Sequence, residues 1–169
     1  YRGATAAAQD HQWDIVVIEP VLAMDYQKDM QQLIEANCDL IAAPHFIDML
    51  EAVIPAIQAN RDQKFIIFDF PLDSPLENAW DQIYVPNEAA FLAGYAAASV
   101  TKTGKIGTYG GLNIPGVTNF MDGFALGVRY YNERNKTNVE VIGWDVDTRE
   151  GFFTYNFVSI SLGREVAEN

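Results

Sequence analysis

The sequence predicts an α/β protein of two lobes, each a doubly wound parallel sheet. Three observations predict it. Short apolar runs recur at 13–19 (WDIVVIE), 39–43 (DLIAA) and 64–70 (KFIIFDF), rich in β-branched and aromatic residues. Such runs suit strands, and the continuous hydrophobicity of 64–70 suits one buried on both faces. Between them lie stretches with apolar residues at helical spacing. A segment holding Pro71, Pro75 and Pro86 then breaks the rhythm before a second helix–strand series begins. Strands alternating with helices imply right-handed crossovers.

In chain order, residues 1–12 predict a helix with Ala4, Ala7 and Ala8 inward, and Trp13 to Glu19 a buried strand ended by Pro20. Asp25 is placed to cap a helix carrying Tyr26, Met30, Leu33 and Ile34 on one face. Asp39 to Ala43 predicts the next strand, closed by Pro44-His45-Phe46. Phe46, Leu50, Val53, Ile54 and Ile57 form a helical stripe, with Pro55 as a possible kink. Lys64 to Phe70 is the third strand. Residues 71–87 read as an irregular crossing, with Ile83-Tyr84-Val85 as a short strand, so the lobes divide as 1–84 and 85–169. The second lobe opens with a small-residue helix (Ala89, Ala90, Ala93, Gly94, Ala96, Ala97, Ala98) that stops at Thr103-Gly104. A strand from Lys105 to Tyr109, a glycine-rich loop from Gly110 to Gly116, and a helix from Thr118 to Asn132 follow. Val139 to Val146 predicts a strand, Asp147 to Tyr155 a loop or hairpin tip, and Ser159 onward a helix.

Composition narrows the function. With 49% hydrophobic and 20% charged residues, the 169-residue chain is globular in kind. A net charge of −12 argues against nucleic acid and acidic lipid surfaces as partners, because phosphate binding needs a basic face. The single cysteine, Cys38, supports no disulfide framework and is expected to be a small buried residue. No Gly-x-Ser-x-Gly, His-Glu-x-x-His or Cys-x-x-Cys pattern occurs, which argues against an enzyme, a metal or a cofactor.

In open α/β sheets, ligands sit at the carboxyl ends of strands. His45 and Phe46 follow one such end. Phe46 can stack on a planar ring or begin its helix's core stripe, and His45 can contact a ligand or close the turn. Asp69 follows another, as an acceptor for a hydroxylated ligand or as a cap. Asn113, in the glycine loop, offers both donor and acceptor. That loop lacks the Gly-Lys-Ser/Thr of a phosphate-binding loop.

Glu88 to Gly94, Thr101 to Gly107, Gly110 to Pro115 and Phe120 to Phe124 together resemble a family pattern: E-A-A/G-F-L-A-G, T-K-T-G-K-V-G, G-G-M/L-x-I-P and F-x-x-G-F. The family is the basic membrane proteins, substrate-binding lipoproteins of bacterial ABC transporters. Weaker echoes lie at Cys38 to Ala42, Lys64 to Asp69, Asn156-Phe157 and Gly163 to Ala167. The resemblance implies a type I periplasmic-binding-protein fold that captures a nucleoside between the lobes for an ABC permease. It implies base stacking by Phe46 and Phe157, ribose binding by Asp69, and a lining role for Asn113. The segment before Asn156 departs from the pattern, which leaves Phe152 and Phe153 as other candidates for the stacking ring. It also implies a lipobox cysteine, a first strand and a Phe-Asn-Gln turn before Tyr1, and more strands after Asn169. The chain would then be an internal piece of a lipoprotein anchored on the outer face of the cytoplasmic membrane, or a periplasmic one. The rival readings are a sugar- or autoinducer-binding protein, or a ligand-sensing domain, of the same fold.

Overall fold

The computed structural model describes residues 2–19, 25–43, 47–72 and 76–168. The chain divides into two compact units, Tyr1–Ile83 and Tyr84–Asn169.

The first unit contains α1 (Arg2–His11), α2 (Tyr26–Glu35), β1 (Leu40–Ala43), α3 (Ile47–Ala59), β2 (Lys64–Phe68) and β3 (Ala79–Gln82). Its sheet has the order β1-β2-β3 and is parallel throughout, with Ile41 opposite Phe65 and Ile67 opposite Asp81. One face is the core: Ile41, Ala43, Phe65 and Ile67 pack with Met30 of α2 and Val53 and Ile57 of α3. Asn78 ties the end of α3 to the sheet. Its side-chain amide donates to the carbonyls of Ile57, Asn60 and Gln63, in the last turn of the helix and the turn that follows it.

Several expectations for this unit need correction. Trp13 to Glu19 forms no strand. Trp13 is 64% exposed, and Ile15, Val16 and Val17 are exposed too. A strand takes both its hydrogen bonds and its burial from a neighbour. Among the described residues this run pairs with none; Trp13 instead donates its N–H to the Ala8 carbonyl and stacks on His11. In α1 only Ala8 is buried, and Ala4 is exposed. Asp25 makes no side-chain cap bond. β2 buries one face rather than two, since Ile66 and Phe68 are only half-buried. The strand of the crossing segment is Ala79–Gln82, not Ile83 to Val85. Helix α3 runs on through Pro55. Cys38 is half-buried against the core.

The second unit contains α4 (Pro86–Val100), β4 (Lys105–Gly107), α5 (Pro115–Asn135), β5 (Glu140–Ile142), β6 (Trp144–Asp145), β7 (Glu150–Gly151) and α6 (Ile160–Glu168). Both α4 and α5 begin on a proline, whose fixed φ and missing N–H suit the first helical position. The two helices touch backbone to backbone. A Cβ at Gly94 would stand 2.0 Å from the Phe124 carbonyl oxygen, and one at Gly127 would stand 2.1 Å from that of Phe91. The small-residue character of both helices is therefore a packing requirement. β4 and β5 pair in parallel, Lys105 opposite Glu140. The predicted strand over 139–146 is broken at Gly143, whose φ of 87° turns the chain. Beyond it, β6 pairs antiparallel with β7, so the segment expected as a loop or hairpin tip from Asp147 holds the hairpin's turn and its second strand. Helix α4 ends at Val100, before the predicted stop, and Gly104 takes φ 73° in the turn that follows.

Candidate functional site

The end of β4 leads into the glycine loop, and the chain after the hairpin comes alongside it. The Gly110 N–H donates to the Phe152 carbonyl at 3.0 Å, and the Thr154 N–H donates to the Gly110 carbonyl at 3.0 Å. This parallel bridge extends the strand end by one register step. Gly110 has no room for a side chain: a Cβ would come within 2.7 Å of Val117 and 2.9 Å of Phe153. Gly111 is closed in by another ring. A Cβ there would stand 2.3 Å from Cε1 of Phe157. The Phe157 ring thus rests directly on the Gly111 backbone while the residue stays 65% exposed. A ring so seated keeps an aromatic face open to solvent.

Local hydrogen bonds fix the bend that carries Phe157. The Asn156 side-chain oxygen accepts the N–H groups of Val158 and Ser159, and the Thr154 hydroxyl donates to the Asn156 carbonyl at 2.6 Å. The Ser159 hydroxyl accepts the N–H of Leu162 in the first turn of α6. Phe153 is 9% exposed and packs edge-on against Trp144, so it serves the core. Phe152 lies against Gly143. Of the three phenylalanines weighed from sequence, Phe157 is the exposed ring seated on the glycine loop.

Beside the loop lies a hollow of about 560 Å³, lined by Ala89, Ala90 and Ala93 of α4, Tyr109 to Gly111, and Val117, Phe120 and Phe124 of α5. Asn113 sits on the loop with its side chain exposed and without a hydrogen-bond partner among the described residues. Tyr109 and Tyr155, not singled out from sequence, are exposed aromatics of the same region. Tyr109 directly precedes the glycine pair, a signal that was present in the sequence.

In the first unit, Asp69 follows β2 as expected. It is half-buried, and its backbone is left-handed at φ 61°, held by its own N–H to the Gln82 carbonyl at 2.8 Å. Aspartate adopts that conformation more readily than most residues other than glycine. His45 and Phe46 lie outside the described residues.

Charged groups gather at the hairpin instead. Arg129 pairs with Asp147 at 2.8 Å, and that carboxylate raises the guanidinium above its usual value. The N–H groups of Thr148 and Asp147 hold the Asp145 carboxyl below its usual value. No group of three or more His, Cys, Asp or Glu among the described residues is placed to hold a metal. No described helix is long and apolar enough to cross a membrane.

Comparison with known proteins agrees with this architecture. Residues 1–156 match the family model of PnrA-like ABC transporter substrate-binding proteins. Basic membrane protein A of Borreliella burgdorferi is 34% identical, with 90% of this chain aligned to 42% of that protein. The ABC transporter nucleoside-binding protein BmpA of Lactococcus lactis is 29% identical over 76% of this chain and 36% of its own length. The chain thus spans less than half the length of the curated relatives it matches. Among solved structures, an ABC transporter solute-binding protein from Aeropyrum pernix superposes with a TM-score of 0.77 at 25% identity, over 98% of this chain and 45% of that one. A second, from Conexibacter woesei, reaches 0.62 at 18% identity and supports the fold alone. The parallel sheets, the crossover helices and these matches together place the fold among the periplasmic-binding-protein-like α/β proteins, and the chain belongs to the PnrA-like family of ABC transporter substrate-binding proteins.

Proposed function

We propose that this chain is part of an extracytoplasmic solute receptor that captures a nucleoside and delivers it to an ABC permease. The observation that carries the reading is Phe157, an exposed ring seated on the Gly111 backbone at the end of β4. It presents an aromatic face to a base, and Asn113 on the same loop supplies polar contacts. Stacking of that kind contributes on the order of 1–3 kcal/mol per base. Asp69 is assigned to the ribose diol and Phe46 to a second aromatic contact, with His45 beside it. The relative named as a nucleoside-binding protein supports the ligand class. The division into lobes 1–84 and 85–169 is part of the same reading, as is the lipoprotein anchor. The protein binds and releases its ligand unchanged, with no cofactor.

Isothermal titration tests this on the protein expressed as the full reading frame that encodes it. The ligands are adenosine, guanosine, inosine, cytidine, ribose and galactose. The reading expects at least one nucleoside to bind with micromolar or tighter affinity while both sugars fail, and chromatography afterwards to recover the ligand intact. Binding of a sugar in preference to every nucleoside would favour the sugar-receptor reading, and a consumed ligand would make the protein an enzyme.

A further inference from the structure

We propose that Arg149 is a positioning residue for the Phe157 stacking surface, acting through the β6–β7 hairpin. The inference rests on the nucleoside reading of that surface. Arg149 occupies the last position of the hairpin turn, with φ 59° and its N–H donating to the Asp145 carbonyl at 2.8 Å. That backbone sends its guanidinium back across α5. Nη1 donates to Oδ2 of Asp122 at 3.1 Å, and Nη2 donates to the hydroxyl of Thr118 at 3.0 Å. Both acceptors are sheltered: the Asp122 side chain is 17% exposed and Thr118 is 1% exposed. The second Asp122 oxygen accepts the indole N–H of Trp144 at 2.9 Å, and the guanidinium carbon lies 5.9 Å from the Trp144 ring centroid. A planar guanidinium forked between two acceptors on one helix fixes the hairpin in direction as well as in distance.

The chain leaving this hairpin leads straight to the site. β7 ends at Gly151, Phe152 and Thr154 bridge Gly110, and Phe157 comes to rest on Gly111. The short hairpin strands have only two residue pairs of their own, and two-stranded ribbons are marginal in isolation. The clamp to α5 therefore decides where the bridge forms, and the bridge decides where the Phe157 ring lies. The other ion pair of the hairpin, Arg129 with Asp147, also reaches from α5 through two hydrogen bonds, but its acceptor is open to solvent where Asp122 and Thr118 are sheltered.

Two substitutions in the full protein test the proposal: Arg149→Met, which keeps the stem and removes the fork, and Thr118→Val, which removes one acceptor without emptying its buried space. Amide hydrogen exchange is read without ligand. Gly110 and Thr154 are expected to exchange at least about fivefold faster in both variants, while α4 amides keep their protection. Nucleoside titration is then expected to show affinity about tenfold weaker for Arg149→Met. In the Phe157→Ala background the same substitution changes affinity no further. Unchanged exchange at Gly110 and Thr154 would overturn the proposal, as would a loss of affinity equal in size with and without Phe157. A wild-type protein that binds no nucleoside would appear in the wild-type titration, and would overturn the functional reading while leaving the exchange result to judge the clamp.

Discussion

Asp69 shows how backbone and chemistry divide at a single residue. Its left-handed φ of 61° costs an L-residue about 1–2 kcal/mol, a penalty that glycine escapes and that aspartate tolerates better than most. Asp69→Gly is therefore expected to change stability by less than about 1 kcal/mol in urea denaturation, because the relieved strain is offset by the freer unfolded chain. Asp69→Val, β-branched, is expected to lose about 1–2 kcal/mol. If the carboxylate holds a ribose, Asp69→Gly lowers nucleoside affinity at nearly unchanged stability. Equal affinity in wild type and Asp69→Gly would remove Asp69 from the site. That Asp69 closes a strand was legible in the sequence, since an acidic residue ends an apolar run. Its left-handed backbone was not, because the hydrogen bond to Gln82 that holds it comes from a neighbouring strand.

At the scale of elements, the contact of α4 with α5 depends on glycine. Gly127→Ala would drive a methyl group into the Phe91 carbonyl, so the helices must part, at a cost of about 3 kcal/mol. Gly107→Ala is the control. Nothing lies within 4 Å of its Cβ position, and the change is expected to be neutral or stabilising by up to about 1 kcal/mol. Thermal unfolding of both variants checks this, and equal losses would deny the close packing. The hairpin adds an acid-sensitive feature. Asp145 has a folded pKa below its unfolded value, so its contribution is fully present above about pH 4 and fades as pH falls through the lower folded value. Asp145→Asn keeps the acceptor without the titration. Near-ultraviolet circular dichroism of Trp144 between about pH 5 and pH 2.5 is expected to change less in Asp145→Asn than in wild type. Identical acid profiles would show that these N–H bonds do not matter to the hairpin. Helices α4 and α5 and strands β1, β2 and β4 were readable from periodicity and punctuation. The Trp13 to Glu19 run was misread because strand character belongs to a pair. The break at Gly143 and the Arg149–Asp122 clamp were hidden because each depends on groups far away in sequence.

For the whole molecule, the order of the blocks from Glu88 to Phe124 carried the family assignment, and the match over residues 1–156 agrees with it. Each unit has its own core: Phe65, Ile57 and Ile67 anchor the first, and Met121, Trp144 and Phe153 the second. The candidate site was legible at the level of loops, as strand ends followed by Asp69 or by glycines. It was not legible as a surface, because the seat of Phe157 is the bare backbone of Gly111, which no local pattern announces. That seat is the proposed place where a base stacks. A crystal structure of the full protein grown with a bound nucleoside decides it. The base is expected to lie parallel to the Phe157 ring at van der Waals distance beside the Gly110–Gly111 loop, and a nucleoside bound with its base away from Phe157 would rule that seat out.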